Sequence, residues 1–161
     1  MSVIERVLKD KESGMRGFLV IDSLVRNRSC GGLRIAPDVT LEETRQLARA
    51  MTQKYALFGF SKTGGAKAGV CIPQDASPRQ RTRALEAFGR AIAEELRSRQ
   101  YIPWTDMGSS SEDIRTVLEA AGAPQYPFAD SATPTAWSVF GSMLGAADAL
   151  GVTLSDCTAA S

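Results

Sequence analysis

The sequence predicts an α/β fold: a single-domain sandwich in which a mixed sheet is flanked by helices. Two observations carry this. Short apolar runs with no helical period occur at residues 17–21, 33–35 and 70–72, as buried strands do. Between and after them lie longer stretches with apolar residues every three or four positions, each opened by a capping residue. Strands alternating with amphipathic helices pack as a sheet covered by helices. With 161 residues, the chain is long enough for one domain with its own core.

Taken in order, Phe18, Leu19, Val20 and Ile21 form the first strand, and the polar stretch 22–28 turns the chain. Leu33-Arg34-Ile35 alternates and reads as the partner of that first strand. A helix then starts at Thr40, whose hydroxyl caps it, with Glu43 completing a capping box. Leu47, Met51, Tyr55 and Phe58 make its apolar stripe, and Lys54 falls just off the edge. Glycines 64, 65 and 69 read as a loop, followed by a strand at 70–72 that Pro73 closes. Ser77-Pro78 opens the next helix, with proline in its first turn and Leu85, Phe88, Ile92 and Leu96 facing inward. Residues 101–104 are extended and lead into Asp106. Ser110 or Ser111 caps a shorter helix carrying Ile114, Val117 and Leu118. A proline-rich loop spans 122–134, and a last helix spans about 135–150 with Val139, Met143 and Leu150 inward.

The composition excludes several chemistries. There is no histidine, so Ser-His-Asp and Cys-His catalysis and histidine metal sites are absent. Cys30, Cys71 and Cys157 are odd in number and far apart, which fits reduced thiols better than a disulfide framework or a metal site. The net charge of +1 gives no reason to expect nucleic acid or an anionic membrane as partner. No apolar run reaches spanning length, and the expected compartment is the cytoplasm.

The residues with the most chemistry are Lys54, Lys67 and Asp106. An exposed lysine amine, with a pKa of about 10.4, is a poor base at neutral pH. Burial and a nearby cation, which Lys54 and Lys67 could be for each other, can lower it to roughly 7–8. Two amines and a carboxylate suit a small amino or 2-oxo acid, with one amine holding the carboxylate and the other moving protons. The plainer reading stands beside this one. A lysine after glycines is commonly a solvated loop residue, and Asp106 can serve as a helix cap.

Several motifs, in order, resemble the N-terminal substrate-binding and dimerisation domain of the Glu/Leu/Phe/Val amino-acid dehydrogenases. They are Gly31-Gly32-Leu33-Arg34, Met51-Thr52-Gln53-Lys54, Gly64-Gly65-Ala66-Lys67, Ala87-Phe88-Gly89-Arg90 and Asp106-Met107-Gly108-Ser109-Ser110-Ser111-Glu112-Asp113. The resemblance covers about residues 17–152 and is nearer the leucine and phenylalanine branch. It includes Thr135-Ala136-Trp137-Ser138-Val139, similar to the helix that leads into the family's cofactor domain. The resemblance implies roles. Lys54 would bind the α-carboxylate, Lys67 would be the general base, and Asp106 would assist proton transfer at the amino group. Gly31 and Gly32 would line the substrate site. Cys30 stands where glutamate dehydrogenases place a lysine, so a second acidic group on the substrate looks unsupported. Trp104 stands where the leucine branch has a small pocket residue, and can fill that space.

No Gly-x-Gly-x-x-Gly follows a strand anywhere in the sequence. No nucleotide-binding domain is therefore expected within 1–161, and NAD(P) would enter only through a separate Rossmann domain. Three readings stay open. The chain is the substrate-binding and oligomerisation half of a dehydrogenase acting by oxidative deamination, truncated or split from a cofactor domain that a separate subunit could supply. Or it is a stand-alone relative doing cofactor-free lysine chemistry. Or it is a non-catalytic binding and assembly module. In each, a homo-oligomer is expected, because strand 18–21 is too apolar to leave as an open edge.

Overall fold

The computed structural model describes residues 4–59, 62–127 and 132–158. It is α/β, as expected. Five strands form one sheet in the order β1-β2-β4-β3-β5: β1 (Ile4–Lys9), β2 (Arg16–Ile21), β3 (Ser29–Ala36), β4 (Gly64–Cys71) and β5 (Ile102–Thr105). β4, β3 and β5 are parallel, while β2 runs antiparallel to both its neighbours, β1 and β4. Helix α1 (Leu41–Leu57) joins β3 to β4. α2 (Pro78–Ala91) and the short α3 (Ala93–Arg97) join β4 to β5, and α4 (Ser111–Ala121) follows β5. The two crossovers leave in opposite directions along the sheet, so right-handed connections put their helices on opposite faces.

The sheet's alternation sorts its residues between those faces. A Cβ on Gly17 would meet the Phe88 ring of α2 at 2.8 Å, while one on Gly69 would meet Thr44 of α1 at 3.3 Å. Leu19, Ile21, Ala66, Ala68 and Val70 therefore share Gly17's face, with α2 and α4 carrying the buried Leu85, Phe88, Ile114, Val117 and Leu118. Phe18, Val20, Gly65, Lys67 and Gly69 share the face that α1 covers. α2 and α4 begin with full capping boxes, Ser77 with Gln80 and Ser110 with Asp113, each cap contributing about 1 kcal/mol.

Several expectations are corrected. β3 is not the partner of β2, because β4 lies between them. The turn through Arg26 and Asn27, both at positive φ, carries the chain past that slot. The glycine stretch is no loop but the first three-quarters of β4. Its glycines give clearance: a Cβ on Gly64 would stand 1.9 Å from the Ser23 carbonyl oxygen, and one on Gly65 2.2 Å from the Thr52 nitrogen. At α1, Thr40 accepts from the Glu43 backbone, but the Glu43 side chain is taken by Arg34, so only half of the box forms. α1 buries Thr44 and Ala48, and Phe58 is exposed. Strand 18–21 is covered on both edges, since the unanticipated β1 takes the outer position. Arg45–Glu5 and Arg6–Glu95 ion pairs fasten β1 to α1 and α3.

The α/β unit comprises residues 1–126, and residues 127–161 form a second compact unit. That unit holds α5 (Ala132–Leu150) and a short 3-10 turn (Leu154–Asp156). Residues 128–131 of the expected 122–134 loop lie outside the described residues, and Pro134 sits in the first turn of α5. Val139, Met143 and Leu150 are exposed rather than inward. α5 is mostly apolar, with only small polar residues such as Thr135, Ser138 and Ser142 on its other side, so its period singles out a weak stripe at best. No helix among the described residues is long and apolar enough to cross a membrane.

Candidate active site

Lys67 lies mid-strand in β4, on the face that α1 covers. Its side chain runs sideways across Gly32 of β3 and ends at Asp106, just past the end of β5, with Nζ 2.7 Å from Oδ2. A Cβ on Gly32 would stand 3.2 Å from that Nζ and 2.6 Å from the Asp106 Cβ, so only glycine leaves the space. The Lys67 side chain is 6% exposed and that of Asp106 23%. Asp106 Oδ2 also accepts from Arg34 Nε at 3.0 Å. The Arg34 Nη1 donates in turn to Glu43 of α1. Two cations and two carboxylates thus alternate in one row: Lys67, Asp106, Arg34, Glu43.

The row sets proton affinities. Burial pulls the Lys67 amine below its ordinary value. The hydrogen bond and charge of Asp106 push back only in part, and the Arg34 charge pulls further down. Burial pushes the Asp106 carboxyl up, but Lys67 and Arg34 together outweigh it and hold the group below the usual carboxylate range. The cation expected to lower Lys67 was Lys54. The structure assigns that part to burial and Arg34 instead.

A rigid turn fixes Asp106. Its N–H donates to Ser109 Oγ at 2.8 Å. Gly108, at φ +75, backs onto the Ile35 carbonyl oxygen, 2.0 Å from where a Cβ would stand. Arg81 donates to the Gly108 carbonyl at 2.6 Å and to both oxygens of Asp113. The cap of α4 is Ser110, so Asp106 is not consumed as a helix cap.

The other expected site residues are placed as follows. Gly31 packs its backbone against β4, where a Cβ would overlap the Ala66 carbonyl oxygen at 1.6 Å. Tyr101 donates to the Gly31 carbonyl at 3.2 Å. Cys30 is half-buried and hydrogen-bonded by Tyr55 of α1; burial pushes its thiol up, against the pull of that bond. Trp104 pairs with Gly32 across β3 and β5, and is half-buried and stacked on Tyr126 with ring centroids 6.1 Å apart. Lys54 is exposed near the end of α1 and makes no ion pair among the described residues. At 100° per residue it shares a flank of α1 with Glu43 and Leu47, so it borders the same face of the sheet. Sequence reasoning gave no site role to Arg34 or Glu43. Strand alternation held the signal for Arg34, which falls two residues beyond Gly32 on the same face.

The sequence matches the profile of the Glu/Leu/Phe/Val dehydrogenase dimerisation domain over residues 2–122. The chain belongs to this family. It is 34% identical over 105 residues to the NAD-specific glutamate dehydrogenase A of Halobacterium salinarum, covering 65% of this chain and 24% of that protein. It is 30% identical over 156 residues to the leucine dehydrogenase of Geobacillus stearothermophilus, covering 89% of this chain and 41% of that protein. The hetero-hexameric glutamate dehydrogenase of Thermus thermophilus, in its Leu-bound form, shares the fold. Its TM-score is 0.63 at 24% identity, over 75% of this chain and 30% of that one. The chain thus spans well under half the length of these relatives. Both glutamate and leucine dehydrogenases are among them.

A nicotinamide dinucleotide needs a glycine-rich turn between a strand and a helix N-terminus. The turns at 37–40 and 72–77 contain no glycine, and the Thr40 and Ser77 hydroxyls occupy the helix ends they lead into. The turn at 106–110 has one glycine, packed on Ile35. These residues do not fit the dinucleotide. No cluster of three or more metal-ligating side chains occurs among the described residues.

Proposed function

We propose that this chain is the substrate-binding and assembly half of an amino-acid dehydrogenase. It would hold a small amino or 2-oxo acid for oxidative deamination, while residues outside the described domain hold NAD(P). The observation that carries this is the buried Lys67–Asp106 contact across Gly32, in a member of this family.

The geometry supports a division of labour. A lysine whose amine is depressed by burial gives up its proton more readily than an exposed one, as a general base must. Lys67 takes a proton from the water that adds to the substrate's imino carbon. Asp106, hydrogen-bonded to that amine, moves a proton at the substrate nitrogen. Lys54, exposed on the bordering flank of α1, is free to draw in the α-carboxylate. Gly31 and Gly32 give the backbone approach, and Cys30 with Trp104 makes a neutral wall. That wall favours an uncharged side chain, as in the leucine branch, over a second carboxylate.

Assembly follows from the family's dimerisation role. Among the described residues β1 has one unpaired edge, and Val7 on it is 54% exposed. An open edge of this kind favours a homo-oligomer. A monodisperse monomer by light scattering at high protein concentration would count against it.

A second reading has its own support. The four charges of the row neutralise one another, as they do in a purely structural network. Site-resolved labelling of lysines with an amine reagent separates the two readings. In the functional reading, a panel of amino and 2-oxo acids protects Lys67, and Lys54→Ala weakens that protection. Identical labelling of Lys67 with and without every acid in the panel would sink the functional reading.

A further inference from the structure

We propose that Arg34 is a positioning residue for the Lys67–Asp106 pair, and that Glu43 governs how strongly it acts. Arg34 and Lys67 donate to the same oxygen, Oδ2 of Asp106, at 3.0 and 2.7 Å. One carboxylate oxygen serves two cations, so neither cation is fully neutralised by it. The second arm of the guanidinium is held by Glu43, which takes up part of the Arg34 charge. The proposal rests on the reading of Lys67 as the group that moves the proton, since only then does its proton affinity matter.

The geometry makes this specific to arginine. The guanidinium is a planar fork that reaches two carboxylates from one side chain, which a lysine ammonium at the same position cannot match. Arg34 is 17% exposed, so its charge acts on Lys67 with little screening, while Glu43, at 38%, is partly screened by water. The other groups around Lys67 do not compete. Val20 of β2 stands opposite it. On β3 and α1, Cys30 and Tyr55 are hydrogen-bonded to each other, and both are pushed up, so they stay neutral. The charges acting on Lys67 are Asp106, Arg34 and Glu43.

Two substitutions should then move Lys67 in opposite directions. Arg34→Gln removes a repelling cation and leaves Asp106 to Lys67 alone, so the Lys67 pKa should rise, by about one unit. Glu43→Gln frees Arg34 to press on Asp106 and removes a distant anion, so the pKa should fall, by about half a unit. Arg34→Lys should lie between Arg34→Gln and the unaltered chain. Simple loosening of the site cannot give this pattern, because admitting water would move Lys67 towards the ordinary amine value in every variant.

The experiment is the pH dependence of Lys67 labelling in the full chain, resolved by peptide mass spectrometry, alongside far-UV circular dichroism. At a fixed pH below the Lys67 pKa, Arg34→Gln should label about tenfold more slowly and Glu43→Gln about threefold faster. Shifts of the same sign in both variants, or no shift in either, overturn the proposal. Should Arg34→Gln fail to fold, Glu43→Gln decides alone. Its backbone N–H, not its side chain, engages the α1 cap, so the helix start remains. A fall supports the proposal, and a rise or no change overturns it. Protection of wild-type Lys67 by oxo acids is a separate readout. Its loss would remove the base reading while leaving the Arg34 effect on Lys67 measurable.

Discussion

The two faces of the sheet are made by the same strands, yet they obey different rules. On the face under α2 and α4, the strands place Leu19, Ile21, Ala66, Ala68 and Val70 against apolar helices. Every contact there is a matter of volume. On the face under α1, the same strands place Gly65, Lys67 and Gly69 on β4, with Gly32 and Arg34 beside them on β3. There the sheet gives up side-chain volume so that a helix can sit close and one lysine can lie flat across its neighbour. One face is therefore tuned for burial and the other for clearance and charge. A substitution should act on stability on the first face and on proton affinity on the second.

The largest effect should come from the first face. Phe88 is fully buried with its ring against Gly17. Phe88→Ala should cost about 3–5 kcal/mol, as large-to-small core changes do. Urea unfolding measures it. In the fraction that remains folded, the rate of Lys67 labelling should be unchanged. A changed Lys67 rate without lost stability would mean that the two faces are not separable.

The next effect lies on the charged face. Asp106→Asn leaves the Lys67 and Arg34 charges without their shared carboxylate. The loss should be about 2 kcal/mol, below the usual figure for a buried pair because Asp106 is partly exposed. Its sign depends on pH. The carboxyl of Asp106 is held below its ordinary range in the folded chain, so its contribution is full above that range and is lost as pH falls through the folded value. Lys67 is depressed too, and for an amine this means that stability rises as pH climbs from its folded value towards the ordinary one. Asp106→Asn should flatten the acid limb of a stability-against-pH curve and shift the alkaline limb to lower pH. Equal acid limbs in the two proteins would show that Asp106 is not the titrating partner.

How far the sequence reveals all this differs between the faces as well. Helices α2 and α4 were legible, because Leu85, Phe88, Ile92 and Ile114, Val117, Leu118 repeat at helical spacing and Ser77 and Ser110 announce the starts. The strand identity of 64–69 was not. Glycine is a poor strand former, and the contacts that require it, Ser23, Thr52 and Val39, are far away in sequence. The position of β4 between β2 and β3 was hidden for the same reason, since register across a crossover is a tertiary property. β1 was missed because an edge strand with Glu5, Arg6 and Lys9 exposed has little apolar alternation to detect. At the site, Lys67 and Asp106 were legible from their chemistry and from the family resemblance. Arg34 and Glu43 were not, because Glu43 has an equally good local use as a capping residue and only the fold shows that Arg34 claims it.

The sharpest test of the contrast is Gly32→Ala. Its neighbour Gly31 faces a backbone carbonyl at 1.6 Å from the added Cβ, which cannot move without parting β3 from β4. At Gly32 the added Cβ meets side chains only, the Asp106 Cβ at 2.6 Å and the Lys67 Nζ at 3.2 Å. The Lys67 amine can swing aside, but the Asp106 Cβ moves only with its backbone, so the turn after β5 must shift and the cost should be about 1–3 kcal/mol, as for a local overpacking. The Lys67–Asp106 contact cannot keep its geometry, because the methyl occupies the path between them. Lys67 should lose its close carboxylate while remaining buried, so its amine should fall further in pKa and label faster near neutral pH. Protection by amino or 2-oxo acids should disappear in the same variant. Comparing Gly32→Ala with Phe88→Ala then gives a crossed result: lost protection with the smaller loss of stability in one, the larger loss of stability with unchanged labelling in the other. If Gly32→Ala instead unfolds the chain while leaving Lys67 unperturbed in whatever stays folded, the glycine serves packing, and the clearance argument for this face fails.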